Sequence, residues 1–151
     1  MVILNNESGK YARNIVQTPI SPQMDPEFKA IYEKFAHRIV WIDGERVPGA
    51  FQMNTAWYSK VPERDPIFME HVHDDDELIG FFGSDPDDPS NLNGEIEFSI
   101  DGEKHLLTKS SIIFAPAGVV HNPMRILRVD KPIFHFSVVT SRIYDGEATY
   151  R

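Results

Sequence analysis

The sequence predicts an all-β fold, a sandwich or barrel of short strands. Three observations carry that expectation. Apolar and polar residues alternate with period two through most of residues 38–140. Turn signals, Asp-Gly above all, separate the alternating runs at short intervals. Only one stretch of the chain carries the 3.6-residue repeat of an amphipathic helix.

Residues 1–24 are polar, lack periodicity and run through Thr18-Pro19-Ile20-Ser21-Pro22. They are expected to form an arm, either loose or laid over a neighbour. Asp25-Pro26-Glu27 then offers a capping Asp, a Pro at the first helical position and an acid in the first turn. Phe28, Ile31, Tyr32 and Phe35 follow as one apolar stripe. This short helix is expected to pack on the main body or on a second subunit.

Strands are expected over residues 38–43, 50–60, 67–73, 77–82, 94–100, 103–107, 111–115, 124–129 and 133–140. Asp43-Gly44 reads as a turn. Asp101-Gly102 joins two of the runs as a type I′ hairpin, whose twist matches that of the flanking strands. In the 50–60 run, Gln52, Asn54, Ala56 and Tyr58 share one face, and Phe51, Met53, Thr55 and Trp57 share the other. Parity leaves open which face is internal: the first would make a polar pocket wall, the second an apolar one. Residues 83–93 (GSDPDDPSNLN) are expected to form a loop of about ten residues, as surface punctuation, a lid or a dimer contact.

The 151 residues suffice for one domain, divided into an arm with its helix (1–37) and a barrel (38–151). The net charge of −8 argues against a nucleic-acid partner, because an acidic surface repels phosphates. No apolar run reaches the ~18 residues of a membrane span, so no membrane partner is expected. The chain has no cysteine, which excludes disulfides, thiolate ligands and a Cys nucleophile, and suits a reducing cytoplasm.

The chemistry concentrates in His71-Val72-His73-Asp74-Asp75-Asp76-Glu77 and in Pro116-Ala117-Gly118-Val119-Val120-His121. On a strand, His71 and His73 would point to one face about 7 Å apart, close enough to share an ion. A straight strand would carry Glu77 about 20 Å from His71, too far to join them. The chain must therefore turn within Asp74–Asp76, and Asp residues favour a turn. His121 follows a Pro-Ala-Gly turn and can arrive from another strand. Imidazole and carboxylate ligands suit one divalent transition ion: Fe, Mn, Ni, Zn or Cu. Four protein ligands would leave an octahedral ion two open positions, as a catalytic metal needs.

Both segments resemble the cupin superfamily. His71, His73 and Glu77 match its first motif, His-x-His followed after three residues by Glu. Pro116, Gly118 and His121 match its second, Pro-x-Gly-x-x-His. Asp65, Ser110 and Arg125 stand where the motifs carry Gly, Gly and Asn. The resemblance covers roughly residues 38–140. It implies a double-stranded β-helix, or jelly-roll barrel, with the ion held inside by those four side chains.

Other residues have two readings each. His135 sits opposite Phe134 and Phe136, as a hydrogen-bonded structural residue or as an acid or base inside the barrel. Arg125 would serve in a surface ion pair or hold a carboxylate substrate. Gln52, Asn54 and Tyr58 line the pocket if their face is internal. The expected function is metal-dependent chemistry on a small oxygen-rich or carboxylated molecule; the alternative is a binding module without turnover. A homodimer is expected, because the arm and helix need something to cover and an exposed sheet edge needs a cap.

Overall fold

A computed structural model describes residue 2, residues 8–19 and residues 22–141. Parts of the expected arm (1, 3–7, 20 and 21) and the end of the expected barrel segment (142–151) lie outside the described residues.

The helix forms where its signals stand. α1 spans Pro26–Phe35, and the Asp25 carboxylate caps it by accepting the Phe28 N–H at 2.9 Å. Its buried stripe is Phe28, Tyr32 and Phe35. It packs on the β-structure: the Phe28 ring lies 5.9 Å from Phe68, and Phe35 lies 5.5 Å from Tyr58. Before it, Ala12–Asn14 form one 3-10 turn.

Eight strands follow: β1 (Ala36–Ile42), β2 (Gln52–Tyr58), β3 (Glu77–Gly83), β4 (Asn91–Ile100), β5 (Glu103–Lys109), β6 (Ser111–Ala115), β7 (His121–Val129) and β8 (Ile133–Val139). They form two antiparallel sheets, ordered β1-β2-β8-β3-β6 and β5-β4-β7. The chain crosses between the sheets from β3 to β4, from β5 to β6, from β6 to β7 and from β7 to β8. That alternation makes the sandwich a jelly roll. The Asp101-Gly102 turn has φ of +49° and +77°, as a type I′ hairpin requires.

The core lies between the sheets. Ile96 and Phe98 of β4 and Met124 and Ile126 of β7 meet Ala56, Tyr58, Ile79, Phe81 and Ile133 from the opposite sheet. Burying a side chain such as Phe81 contributes about 2–3 kcal/mol. The parity question in β2 is resolved. Gln52, Asn54, Ala56 and Tyr58 are buried, whereas Phe51, Met53 and Trp57 are exposed. Thr55 is buried as well, on the outer parity, where it bonds both N–H and C=O of Val40 across the β1 bulge.

Two expectations need correction. Residues 67–73 are not a strand. They pair with β7 as two isolated bridges, Phe68 with Met124 and His71 with His121, and not as a ladder. The reason lies in β7 between those pairs. Pro123 has no N–H to donate, and Asn122 takes a φ of +65°, so a continuous ladder cannot form. The expected loop over 83–93 shrinks to residues 84–90, because β4 begins at Asn91, which pairs with Lys109. This loop leaves β3 at the end opposite Glu77 and is tied to the body. Lys131 Nζ reaches Asp85 at 3.1 Å, and the Ser110 hydroxyl donates to the Pro89 carbonyl at 2.6 Å. It is placed to turn the chain and not to cover the His–Glu end of the barrel.

Candidate metal centre

Local structure delivers each ligand from a different constraint. His71 is fixed by two backbone bonds to His121, N–H to C=O in both directions, each 3.0 Å. The chain bends at Asp74 and Asp75 and re-enters the sheet at Glu77, the first residue of β3. His121 opens β7 after a turn in which Gly118 has a φ of +78°, a conformation that favours glycine. Asp76 binds the two segments together: its carboxylate accepts the Ala117 N–H at 2.8 Å. The Gly118 N–H donates to the His73 carbonyl at 2.9 Å. The run of Asp residues is thus more than a solvated turn.

The structure brings His71, His73, Glu77 and His121 together, with one ligand atom from each lying within 4.8 Å of all the others. His73 Nε2 is 3.5 Å from Glu77 Oε1, and His121 Nε2 is 3.7 Å from Oε2. The other ring nitrogens are engaged. His71 Nδ1 faces the Met69 carbonyl at 3.2 Å, His73 Nδ1 the Asp75 carbonyl at 2.9 Å, and His121 Nδ1 the Val119 carbonyl at 3.2 Å. A carbonyl oxygen only accepts, so each Nδ1 carries the hydrogen. Each neutral ring is left with its lone pair on Nε2, the form a metal ligand needs.

The donor set fits an ion. His121 Nε2 is buried without a hydrogen-bond partner, a costly condition that a metal bond would relieve. Ligand bonds of about 2.1 Å put cis donors about 3.0 Å and trans donors about 4.2 Å apart, so the cluster needs only a small contraction. One carboxylate and three neutral imidazoles suit a dication.

Charge is already arranged around Glu77. Burial would push its carboxyl up, but hydrogen bonds and positive charge from the protonated His121 and His73 rings prevail and hold it down at about 2; an ion bound there would displace those ring protons. The His73 ring is raised, chiefly by its contact with Glu77. His71 is lowered, by burial first and by the neighbouring His121 second.

The remaining sequence candidates separate. Gln52 and Asn54 face the interior on the wall that carries Glu77; Gln52 pairs with Val139, and Val139 pairs with Glu77. Asn54 Oδ1 is buried without a hydrogen-bond partner. His135 lies deeper in the barrel, with its ring against Tyr58 at 5.0 Å and Phe81 at 5.1 Å. Its Nδ1 donates to the Gly80 carbonyl at 3.0 Å, and burial depresses it to about 4, so it is a neutral packed residue. Tyr58 is buried beside it. Arg125 is not brought to the cluster. It points away from the core and meets Asp65 at 3.3 Å and Glu97 at 3.8 Å.

Sequence reasoning missed the parts that orient the rings: the carbonyls of Met69, Asp75 and Val119. Backbone carbonyls leave no sequence signal.

No family model and no curated protein matches the sequence. Solved structures resemble the fold at low identity. A predicted oxalate decarboxylase from Thermotoga maritima is 11% identical, over 70% of this chain and 78% of that one, with a TM-score of 0.48. KdgF from Halomonas sp. is 15% identical, over 73% and 79%, with a TM-score of 0.43. An RmlC-like cupin from Shewanella frigidimarina is 16% identical, over 71% and 76%, with a TM-score of 0.42.

Proposed function

We propose that this chain, whose fold is the cupin jelly roll, is a metal-dependent enzyme acting on a small, oxygen-rich or carboxylated organic molecule. His71, His73, Glu77 and His121 would hold one divalent transition ion. The observation that carries the reading is the cluster itself: three imidazoles whose Nδ1 atoms face backbone carbonyls, and one buried carboxylate, with one ligand atom from each of the four residues within 4.8 Å of the others. Bound there, the ion supplies Lewis acidity at the positions the protein leaves open.

The chain's own residues define what can reach it. Glu77 stays ionised through the physiological range. The neutral amides of Gln52 and Asn54 offer donors and acceptors to oxygen atoms of a ligand inside the barrel. His135 is kept neutral and is already committed to Gly80, which suits wall-building better than proton transfer.

Titration of metal-free protein with Fe(II), Mn(II), Ni(II), Zn(II) and Cu(II), followed by aerobic and anaerobic substrate panels with the tightest ions, tests the reading. One saturable site and turnover of a hydroxy or carboxy compound are expected. Tight ligand binding with no turnover in either panel would favour a binding module instead.

A further inference from the structure

The two sheets present opposite outer faces. That of β5-β4-β7 is charged and self-paired: Glu97 meets Lys104 and Arg125, and Glu95 meets Arg128. That of the five-stranded sheet is apolar. Register aligns Trp57, Phe134 and Phe82 in one row across β2, β8 and β3. Two steps along, Met53, Val138, Leu78 and Phe114 make a second row that reaches β6. Phe136 and Ile112 stand between the rows, with the Phe136 ring lying over Gly80, where any Cβ would collide with it. None of these positions carries a charge, in a chain that is 25% charged.

The exposure is substantial. Ile112 is 61% exposed, Phe114 55%, Leu78 41%, and Met53 and Trp57 36% each. At ~200 Å² for a large side chain this is on the order of 500 Å² of continuous apolar surface, at the upper end of what a monomer exposes and a size that is often functional. It matches the apolar centre of the ~800 Å² that each partner contributes to a stable complex.

We propose that this face seats a second copy of the chain, sheet against sheet about a two-fold axis. Area and charge favour a copy over a foreign partner. Homodimer interfaces are the more apolar class, and an isologous contact lets one flat, uncharged face serve both sides. A charge-free centre also brings together two subunits of net charge −8 without opposing like charges across the contact. The inference is independent of any bound metal.

Sedimentation velocity on the full chain tests it. The expected result is a species of twice the 17.3 kDa chain mass. Ile112→Lys or Phe114→Lys, each at an exposed site, should weaken self-association at least tenfold with the circular-dichroism spectrum unchanged. Leu106→Lys, exposed on the outer face of the other sheet, should leave it intact. Iodide quenching of the wild type on dilution needs no substitution: Trp57 should be shielded when associated and quenched when dissociated. A monomeric wild type, as expected if a foreign protein or nothing covers the face, would overturn the proposal. So would a dimer that both folded lysine variants leave unchanged, or in which Trp57 stays open to iodide.

Discussion

His135 shows how one buried residue sets a pH dependence apart from the metal cluster. Burial between Tyr58 and Phe81 holds its folded value at about 4, against 6.5 in the unfolded chain. Between those values the unfolded state binds the extra proton, so stability falls as pH drops from 6.5 towards 4. Below 4 both states are protonated and this loss is complete. The loss amounts to about 3 kcal/mol. Urea denaturation at pH 7 and pH 4 should therefore show a smaller difference for His135→Gln than for the wild type. The cluster residues are common to both proteins and cancel in that comparison. Glu77→Gln is the complementary test at the ion. Removing the only carboxylate of the cluster should weaken metal binding at least tenfold, by calorimetric titration, and equal affinity would remove Glu77 from the ligand set.

At the level of elements, the helix was legible and the segment before the first ligand was not. Asp25 and Pro26 announce α1, and its apolar stripe is the face that packs. Losing the cap in Asp25→Ala should cost about 1 kcal/mol, read from the urea midpoint. Period two was a poorer guide at residues 67–73. Alternation reports which face a residue shares, but pairing also needs a partner able to bond, and Pro123 with Asn122 denies it in β7. His71 and His73 still share a side, their rings 5.6 Å apart. The ligand geometry thus survived an incorrect strand assignment. Gly83 marks a second constraint that sequence hides. A Cβ there would collide with the Asn91 backbone carbonyl where β3 and β4 cross. Gly83→Ala should cost about 2 kcal/mol or more, because backbone cannot swing aside as a side chain can. A change below about 0.5 kcal/mol in the same denaturation assay would show that the crossing yields.

For the whole molecule, the motif spacing told which residues meet, and the topology explains how. Glu77 and His121 are 44 positions apart and belong to different sheets. They meet because the chain alternates between sheets, while the bend at Asp74–Asp75 returns the first segment to the same end of the barrel. Which face of β2 lines the interior depended on the register with β8, and no local pattern carried it. An ion that binds only the folded chain should stabilise it by about 4 kcal/mol at a thousandfold excess over its Kd, raising Tm by about 10 °C, and a chelator should reverse the gain. The most direct measurement is elemental analysis of protein purified without added metal or affinity metal, beside His121→Ala prepared identically. The account predicts about one transition ion per chain in the native protein and loss of that ion in a variant that still folds. Full metal retention by folded His121→Ala would contradict it.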